Sequence, residues 1–211
     1  MNLKSCGATV ALALVVASCG PGSKTDQSPS ATPSDAKMAM NDANDPFAAA
    51  DMAMSQAMKG AVGTDVSDTW LQQMIEHHRG AIAMSKAVLD RNPTKDAREM
   101  AQQTITKQGR EIDDLTKLLG TGSADPTSLE PYRKANQAMD DAMMAAKGKD
   151  VSETYLRKML AHHRGAVALS DVVLAQGKNP EVRKAAAKTR ADQAMEAGMI
   201  QDMLTGKPMK M

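Results

Sequence analysis

Residues 65–89, DVSDTWLQQMIEHHRGAIAMSKAVL, decide the fold. Asp65, or Thr64 before it, is a good N-cap residue, so a helix is expected to begin there. A His pair, His77 and His78, lies near the middle of the stretch. Residues spaced alternately four and three apart form one face of this helix, and that face is expected to pack inside a bundle. These residues are Leu71, Ile75, His78, Ile82, Ser85 and Leu89.

The same stretch recurs 85 residues later without a gap. Residues 150–174 read DVSETYLRKMLAHHRGAVALSDVVL, and fifteen of the 25 positions are identical. Two copies are too few for a solenoid, so they predict one bundle built from two helical hairpins. Outside the stretch, further pairs of equivalent residues match: Met54 and Met139, Met58 and Met143, Thr104 and Thr189, Gln108 and Gln193, Glu111 and Glu196.

Each copy is expected to hold a short Met-bearing helix, the long helix and a third helix. The long helices end near Asn92 and Gly177, and Pro93 and Pro180 suit the first turn of the helix that follows. The copies span about residues 46–120 and 131–206, joined by a connection rich in Gly, Ser and Pro, and residues 207–211 form a tail. The fold class is therefore all-α, a four-helix bundle of two hairpins, each preceded by a short helix.

Composition supports helices and excludes some partners. The 211 residues include 18 Met but only one Phe, one Trp and two Tyr, whereas β-sandwiches and barrels draw on aromatic residues. The net charge of +1 lacks the basic excess of a nucleic-acid binder. Both Cys residues lie in the first twenty positions, so no Cys-based zinc site is expected in the body of the protein.

The N-terminus carries export signals. Residues 1–18 are predicted to be a signal peptide, because Lys4 precedes an apolar run too short to span a bilayer. The run ends in VASCG at 16–20, which resembles the bacterial lipobox; an ordinary secretory signal is the alternative. Cys19 would then be lipidated and hold the protein at a membrane, with residues 19–45 as a flexible tether. We expect a periplasmic lipoprotein, with the outer membrane favoured.

Three segments together resemble a known family. They are AMSQAM at 53–58, LQQMIEHHRGAIAMS at 71–85 and QGREI at 108–112. This pattern is similar to the domain-of-unknown-function 305 family, which includes CopM-like periplasmic copper-binding proteins. The resemblance covers roughly residues 46–206 and implies a ferritin-like helical bundle that binds copper through Met and His. The chain departs from the family pattern at Leu115 and Ile200, where a Met is usual, and at Leu169, which matches Met84.

The chemistry of these residue types agrees with copper. Met74, His77 and His78 share one helical face at i, i+3 and i+4. Thioethers select Cu(I), and imidazole suits both oxidation states of copper, so Cu(I) is the favoured metal, with Cu(II) or Ag(I) as further options. The predicted metal ligands are Met54, Met58, Met74, His77, His78, Met84, Met139, Met143, Met159, His162 and His163.

Four polar residues on the third helices are expected to support these ligands. His78 is level with residue 106 across the hairpin, which puts Gln108 and Glu111 within about one helical turn. His78 and His163 are either ligands or core histidines hydrogen-bonded by Gln108 and Gln193. Glu111 and Glu196 are interpreted as partners that orient the histidines.

The expected function is non-enzymatic copper buffering, transport or resistance, with a possible periplasmic copper-handling partner. A ferritin-like di-metal oxidase is one alternative, but that chemistry needs a repeated Glu-x-x-His motif, which the chain lacks. A metal-free interaction module with a Met-rich face is the other. A last Met series, Met195, Met199 and Met203, is interpreted as the core face of the final helix, with a soft-metal stripe as its alternative.

Overall fold

The computed structural model describes residues 45–206, and these residues are all-α, as predicted. The signal peptide, Cys19, the tether up to residue 44 and the tail at 207–211 lie outside the described residues. A 3-10 helix at Pro126–Tyr132 connects the third and fourth of six α-helices in the described range: α1 Ala48–Gly60, α2 Val66–Leu89, α3 Lys95–Thr116, α4 Arg133–Ala145, α5 Val151–Gln176 and α6 Pro180–Thr205.

None of these six helices is long and apolar enough to cross a membrane.

The long helices begin at the caps that the sequence predicts. The Asp65 carboxylate accepts hydrogen bonds from the backbone N–H of Ser67 and Asp68, at 2.7 and 2.9 Å, and Asp150 accepts one from Glu153 N at 2.8 Å. Helix α6 begins at Pro180, as expected.

The prediction that Pro93 lies in the first turn of a helix is wrong. Helix α2 ends at Leu89, and Asn92 then adopts a left-handed φ of 47°. Thr94 is the N-cap of α3, because its hydroxyl accepts from the backbone N–H of Ala97. Pro93 therefore lies outside the helix, before its cap.

The two long helices form the centre of the molecule. Helix α2 packs against α5, α3 packs against α2, and α6 packs against α5. The short helices lie on the long ones, α1 on α2 and α4 on α5. Ser55 of α1 donates a hydrogen bond of 2.8 Å to Asp140 of α4, and these two residues occupy matched positions 85 apart.

Matched contacts tie the end of each long helix to the start of the other. The Ser152 hydroxyl of α5 accepts from the backbone N–H of Thr94, which follows α2, at 2.9 Å. The Ser67 hydroxyl of α2 accepts from the backbone N–H of Asn179, which follows α5, at 3.1 Å. Ser67 and Ser152 are matched positions, and so are Thr94 and Asn179. The same side chain therefore fixes the antiparallel register of α2 and α5 at both ends.

One matched contact is charged in one half and neutral in the other. Lys158 is fully buried and contacts Asp51 Oδ2 at 2.5 Å and Asp45 Oδ2 at 3.0 Å. Burial raises the pKa of Asp51 to about 6, although Lys158 opposes that shift. At the matched positions Asn136 donates to Gln73 at 3.3 Å, so an amide pair replaces the ion pair. Because a buried ion pair and a neutral pair of similar size differ little in net stability, both halves tolerate the exchange.

The glycine after each His pair allows a short helix to approach closely. A Cβ atom added to Gly80 would overlap Sδ and Cγ of Met54, and one added to Gly165 would overlap the same atoms of Met139. Both Met residues are buried. The glycines are therefore required where α1 crosses α2 and where α4 crosses α5.

We expect the substitution Gly80→Ala to destabilise the protein by about 1–3 kcal/mol, because the new methyl group overpacks the contact with Met54. Gly109→Ala is the matched control, since a Cβ there meets nothing within 4 Å and the residue lies inside α3. The control is expected to gain about 0.5–1 kcal/mol from helix propensity. Urea denaturation of both variants measures the difference, and a Gly80→Ala variant as stable as the control would contradict the proposed contact.

Candidate metal centre

His77 and His162 meet face to face between α2 and α5. Both side chains are fully buried, their ring centroids are 3.5 Å apart, and their planes differ by 32°. Nε2 of His77 lies 3.1 Å from the backbone oxygen of His162, and Nε2 of His162 lies 2.9 Å from the backbone oxygen of His77. Because a carbonyl only accepts hydrogen bonds, each Nε2 carries a proton and donates it.

The second nitrogen of each ring has no partner. Nδ1 of His77 and Nδ1 of His162 are buried and accept no hydrogen bond. Burial lowers the pKa of both imidazoles well below its ordinary value, and the neighbouring histidines lower it further. Each ring is therefore neutral, with a lone pair on Nδ1. A ring that donates one N–H to a backbone carbonyl and keeps the other nitrogen free has the arrangement of a metal-ligating histidine.

The other two histidines have a different environment. Nδ1 of His163 lies 2.7 Å from the backbone oxygen of Met159, and its Nε2 lies 2.9 Å from Oε2 of Glu196. Nε2 of His78 comes within 3.1 Å of Oε2 of Glu111, but the angles leave both atoms without a hydrogen bond. Both nitrogens of His163 are thus occupied, whereas His78 only approaches its carboxylate.

The interpretation that Gln108 and Gln193 hydrogen-bond these histidines is wrong. Both glutamines are buried, but Oε1 of Gln108 and both amide atoms of Gln193 have no hydrogen-bond partner. Glu196, one turn further along α6, takes that place for His163, because a charged acceptor binds an imidazole N–H more strongly than a neutral amide does. Glu111 and Glu196 do lie against His78 and His163.

Lys107 joins the two carboxylates across the bundle. Its ammonium group forms an ion pair with Glu196 and lies 4.0 Å from Oε1 of Glu111 and 3.7 Å from Oδ2 of Asp192. Burial alone would raise the pKa of Glu196, but hydrogen bonds from His163 and Lys107 outweigh it and lower the pKa. Sequence reasoning missed Lys107, because the matched position holds Asp192 and the contact with Glu196 joins different hairpins.

The predicted Met ligands are all buried. Met54 and Met139 pack on Gly80 and Gly165, three residues after His77 and His162. In residues 45–206, no group of three or more His, Cys, Asp and Glu side chains could hold a metal ion. Besides the imidazoles, the buried soft donors of residues 45–206 include the thioethers of seven residues: Met54, Met58, Met74, Met84, Met139, Met143 and Met159.

The interpretation of Met195 as a core residue is wrong. Its side chain is 60% exposed on α6, and Met199 and Met203 are only partly buried. Ile200 fills the core at this level instead. The spacing of four places the three Met residues on one helix face, but Met195 on that face is exposed to solvent, whereas Met203 packs against the core.

Sequence comparison places the chain among known proteins. The sequence model of a family described as a domain of unknown function, DUF305, matches residues 21–119 and 122–204, which is most of the chain. The chain belongs to the DUF305 family. The crystal structure of a DUF305 fragment from Deinococcus radiodurans is similar to this DUF305 protein, with a TM-score of 0.51 and 21% identity over 68% of this chain and 98% of the fragment. That likeness shows a shared fold. No curated protein matches the chain.

We expect His77→Ala to destabilise the metal-free protein by about 2–4 kcal/mol, because it leaves a cavity and removes the N–H that the His162 carbonyl accepts. His77→Gln is the matched variant, since the glutamine Nε2 stands as many bonds from the backbone as the imidazole Nε2 and can donate to the same carbonyl. It lacks any counterpart of Nδ1. Urea denaturation in the presence of a chelator should show the smaller loss for His77→Gln, and equal losses would argue against the donated hydrogen bond.

Proposed function

We propose that this DUF305 protein is a non-enzymatic, exported copper-binding protein that holds Cu(I) between its two long helices. The observation that carries the proposal is the pair of unpartnered Nδ1 atoms on His77 and His162. Leaving two lone pairs buried without a partner costs stability, by about 1–3 kcal/mol for each group. A bound metal ion would use both lone pairs and offset that cost.

The surrounding donors favour the monovalent ion. Thioether sulfur is a soft ligand that selects Cu(I), whereas a harder divalent ion prefers oxygen ligands. Met74 and Met159 precede the two histidines by three residues, which puts thioether and imidazole on one face of each long helix. Met54 and Met139 approach from the short helices. Cu(II) and Ag(I) are further ions that the imidazoles and the thioethers, respectively, would accept.

We also propose that the two halves share a single copper centre. The ring contact of 3.5 Å between His77 and His162 supports one central site rather than two separate ones. The chain is, in this proposal, a ferritin-like four-helix bundle of two duplicated hairpins, each preceded by a short Met-bearing helix. The matched contacts of Ser67 and Ser152 and the two matches to the family support the duplication. His78 and His163 would not bind the metal. They would contact Glu111 and Glu196 and so help to hold the residues around the metal in place.

Export completes the proposal. The signal peptide and the lipidated Cys19 would place the protein in the periplasm, anchored to a bacterial membrane, with the outer membrane favoured. Met and His ligands suit an oxidising compartment, because they bind copper without free thiols. The protein would there buffer copper, carry it to a partner or confer resistance, which are CopM-like roles.

We expect His77→Gln/His162→Gln to weaken the tightest Cu(I) binding by about 100-fold or more, because loss of outer-shell partners alone costs ~10–100-fold in metal affinity. Competition of the purified proteins against a chromophoric Cu(I) chelator measures the affinity. Gln72→Ala, a substitution of a partly exposed glutamine on the same helix, is the control and should bind as the wild type does. Equal affinity of the double variant and the wild type would overturn the central site.

We expect the wild-type protein to take up a radiolabelled fatty acid in a bacterial host and to fractionate with membranes. Cys19→Ser should lose the label and appear in the soluble periplasmic fraction, because one residue carries the acyl chains. Cys6→Ser is the matched control and should keep both properties. Labelling that survives in Cys19→Ser would exclude the lipid anchor at this position.

A further inference from the structure

A cavity of about 190 Å³ lies between α3 and α6 and extends to His163 of α5. Three thioethers line it: Met100 from α3, and Met195 and Met199, one helical turn apart on α6. We call these three residues the Met cleft. His163 and Glu196 line the inner side of the cavity. Met195 is 60% exposed, so the cleft reaches solvent, whereas His163 is 1% exposed.

Core packing accounts in part for Met100, which packs against the core, but it does not account for Met195 and Met199. The positions that match Met100, Met195 and Met199 in the other half are Ala185, Arg110 and Asp114. That half folds with a small residue and two charged residues at the same places. The three thioethers are therefore additions to one side of the bundle, and an exposed Met such as Met195 gains little from burial.

A buried polar atom without a partner also faces this cavity. Gln108 is 1% exposed, lines the cavity, and its Oε1 accepts no hydrogen bond. Buried side-chain acceptors are nearly always paired with protein or water, so this oxygen needs an explanation. A cation held in the cavity, or its bound water, would provide the missing partner.

The charge around the cavity favours a cation. Lys107 lines it and carries a positive charge, but three carboxylates lie within 4.0 Å of its ammonium group: Glu111, Asp192 and Glu196. Lys188 also pairs with Asp192 at 2.7 Å, so the two lysines and three carboxylates together carry one net negative charge. The thioethers supply soft donor atoms, and the carboxylates supply a negative electrostatic potential. This combination suits a monovalent soft ion.

We propose that the Met cleft is a second metal site, which binds Cu(I) or Ag(I) through Met100, Met195 and Met199. It uses the metal chemistry of the proposed function, but its ligands are different residues from those of the central site. Its position at the surface, beside His163, places a captured ion one residue along α5 from His162.

The test is an Ag(I) titration of the full-length protein labelled with ¹³C at the Met methyl groups, followed by NMR. Single Met→Leu variants assign the three resonances. We expect the methyl signals of Met100, Met195 and Met199 to shift together, because a bound ion withdraws electron density from each sulfur. Unchanged signals from Met195 and Met199 at saturating Ag(I) would overturn the proposal, and this arm needs no substitution in the protein that is titrated.

Stoichiometry separates the two sites. The isosteric variant Met100→Leu/Met195→Leu/Met199→Leu removes the sulfurs and keeps the apolar volume, so it should fold and bind about one equivalent of Ag(I) fewer than the wild type. His77→Gln/His162→Gln should keep the shifts of the Met cleft. Full stoichiometry in the triple Leu variant would overturn the cleft, and full affinity in the His variant would overturn the central site instead.

Discussion

Two hydrogen bonds from imidazole rings to helix backbone determine how closely α2 and α5 pack. His77 donates to the carbonyl of His162, and His162 donates to the carbonyl of His77. Each of these carbonyls has a second lone pair for its own helix, so the bonds do not disrupt either helix. They require the helices to pass within one side chain of each other, and they force the two rings to stack. Such close contact depends on an antiparallel register, which Ser67 and Ser152 fix at the helix ends.

The side chains packed around the two histidines are subject to the same close approach of α2 and α5, but they differ between the two halves. Next to the histidines, Tyr155 forms a hydrogen bond of 2.8 Å with Ser85, whereas at the matched positions Trp70 and Ser170 have unpartnered polar atoms. The ion pair of Lys158 matches an amide pair, and the thioethers of the Met cleft match an alanine and two charged residues. The central histidine pair is the same in both halves, because each ring makes the same contact with the other helix. The contacts of Tyr155, Lys158 and Asn136 also join the two halves, but they differ in charge and chemistry from one half to the other.

The parts of this structure that follow from local chemistry could be predicted from the sequence. The caps at Asp65 and Asp150 and the helix at Pro180 depend on a few neighbouring residues, and the all-α fold follows from periodicity and composition. The partner of each histidine depends on contacts between distant elements. The spacing rule put His78 on the face that packs in the bundle and left His77 off it, yet His77 and His162 form the central ring contact. Only the crossing of α2 and α5 decides that. The role of Lys107 could not be predicted for the same reason, because its contacts with Asp192 and Glu196 join it to the other hairpin.

The distribution of unpaired atoms supports the proposal that this centre serves a ligand rather than the fold. If stability alone governed the layer, apolar residues of similar size would pack between α2 and α5 without two free Nδ1 atoms and without the unpaired amides of Gln108 and Gln193. In the central pair each imidazole Nε2 is hydrogen-bonded to backbone, whereas each Nδ1 has no partner. A preorganised site requires such free donor atoms, because they must already be desolvated and oriented before an ion arrives. In the proposed function a monovalent soft ion would suit this layer, since it would add one positive charge near Glu111 and Glu196 and would accept thioethers as ligands.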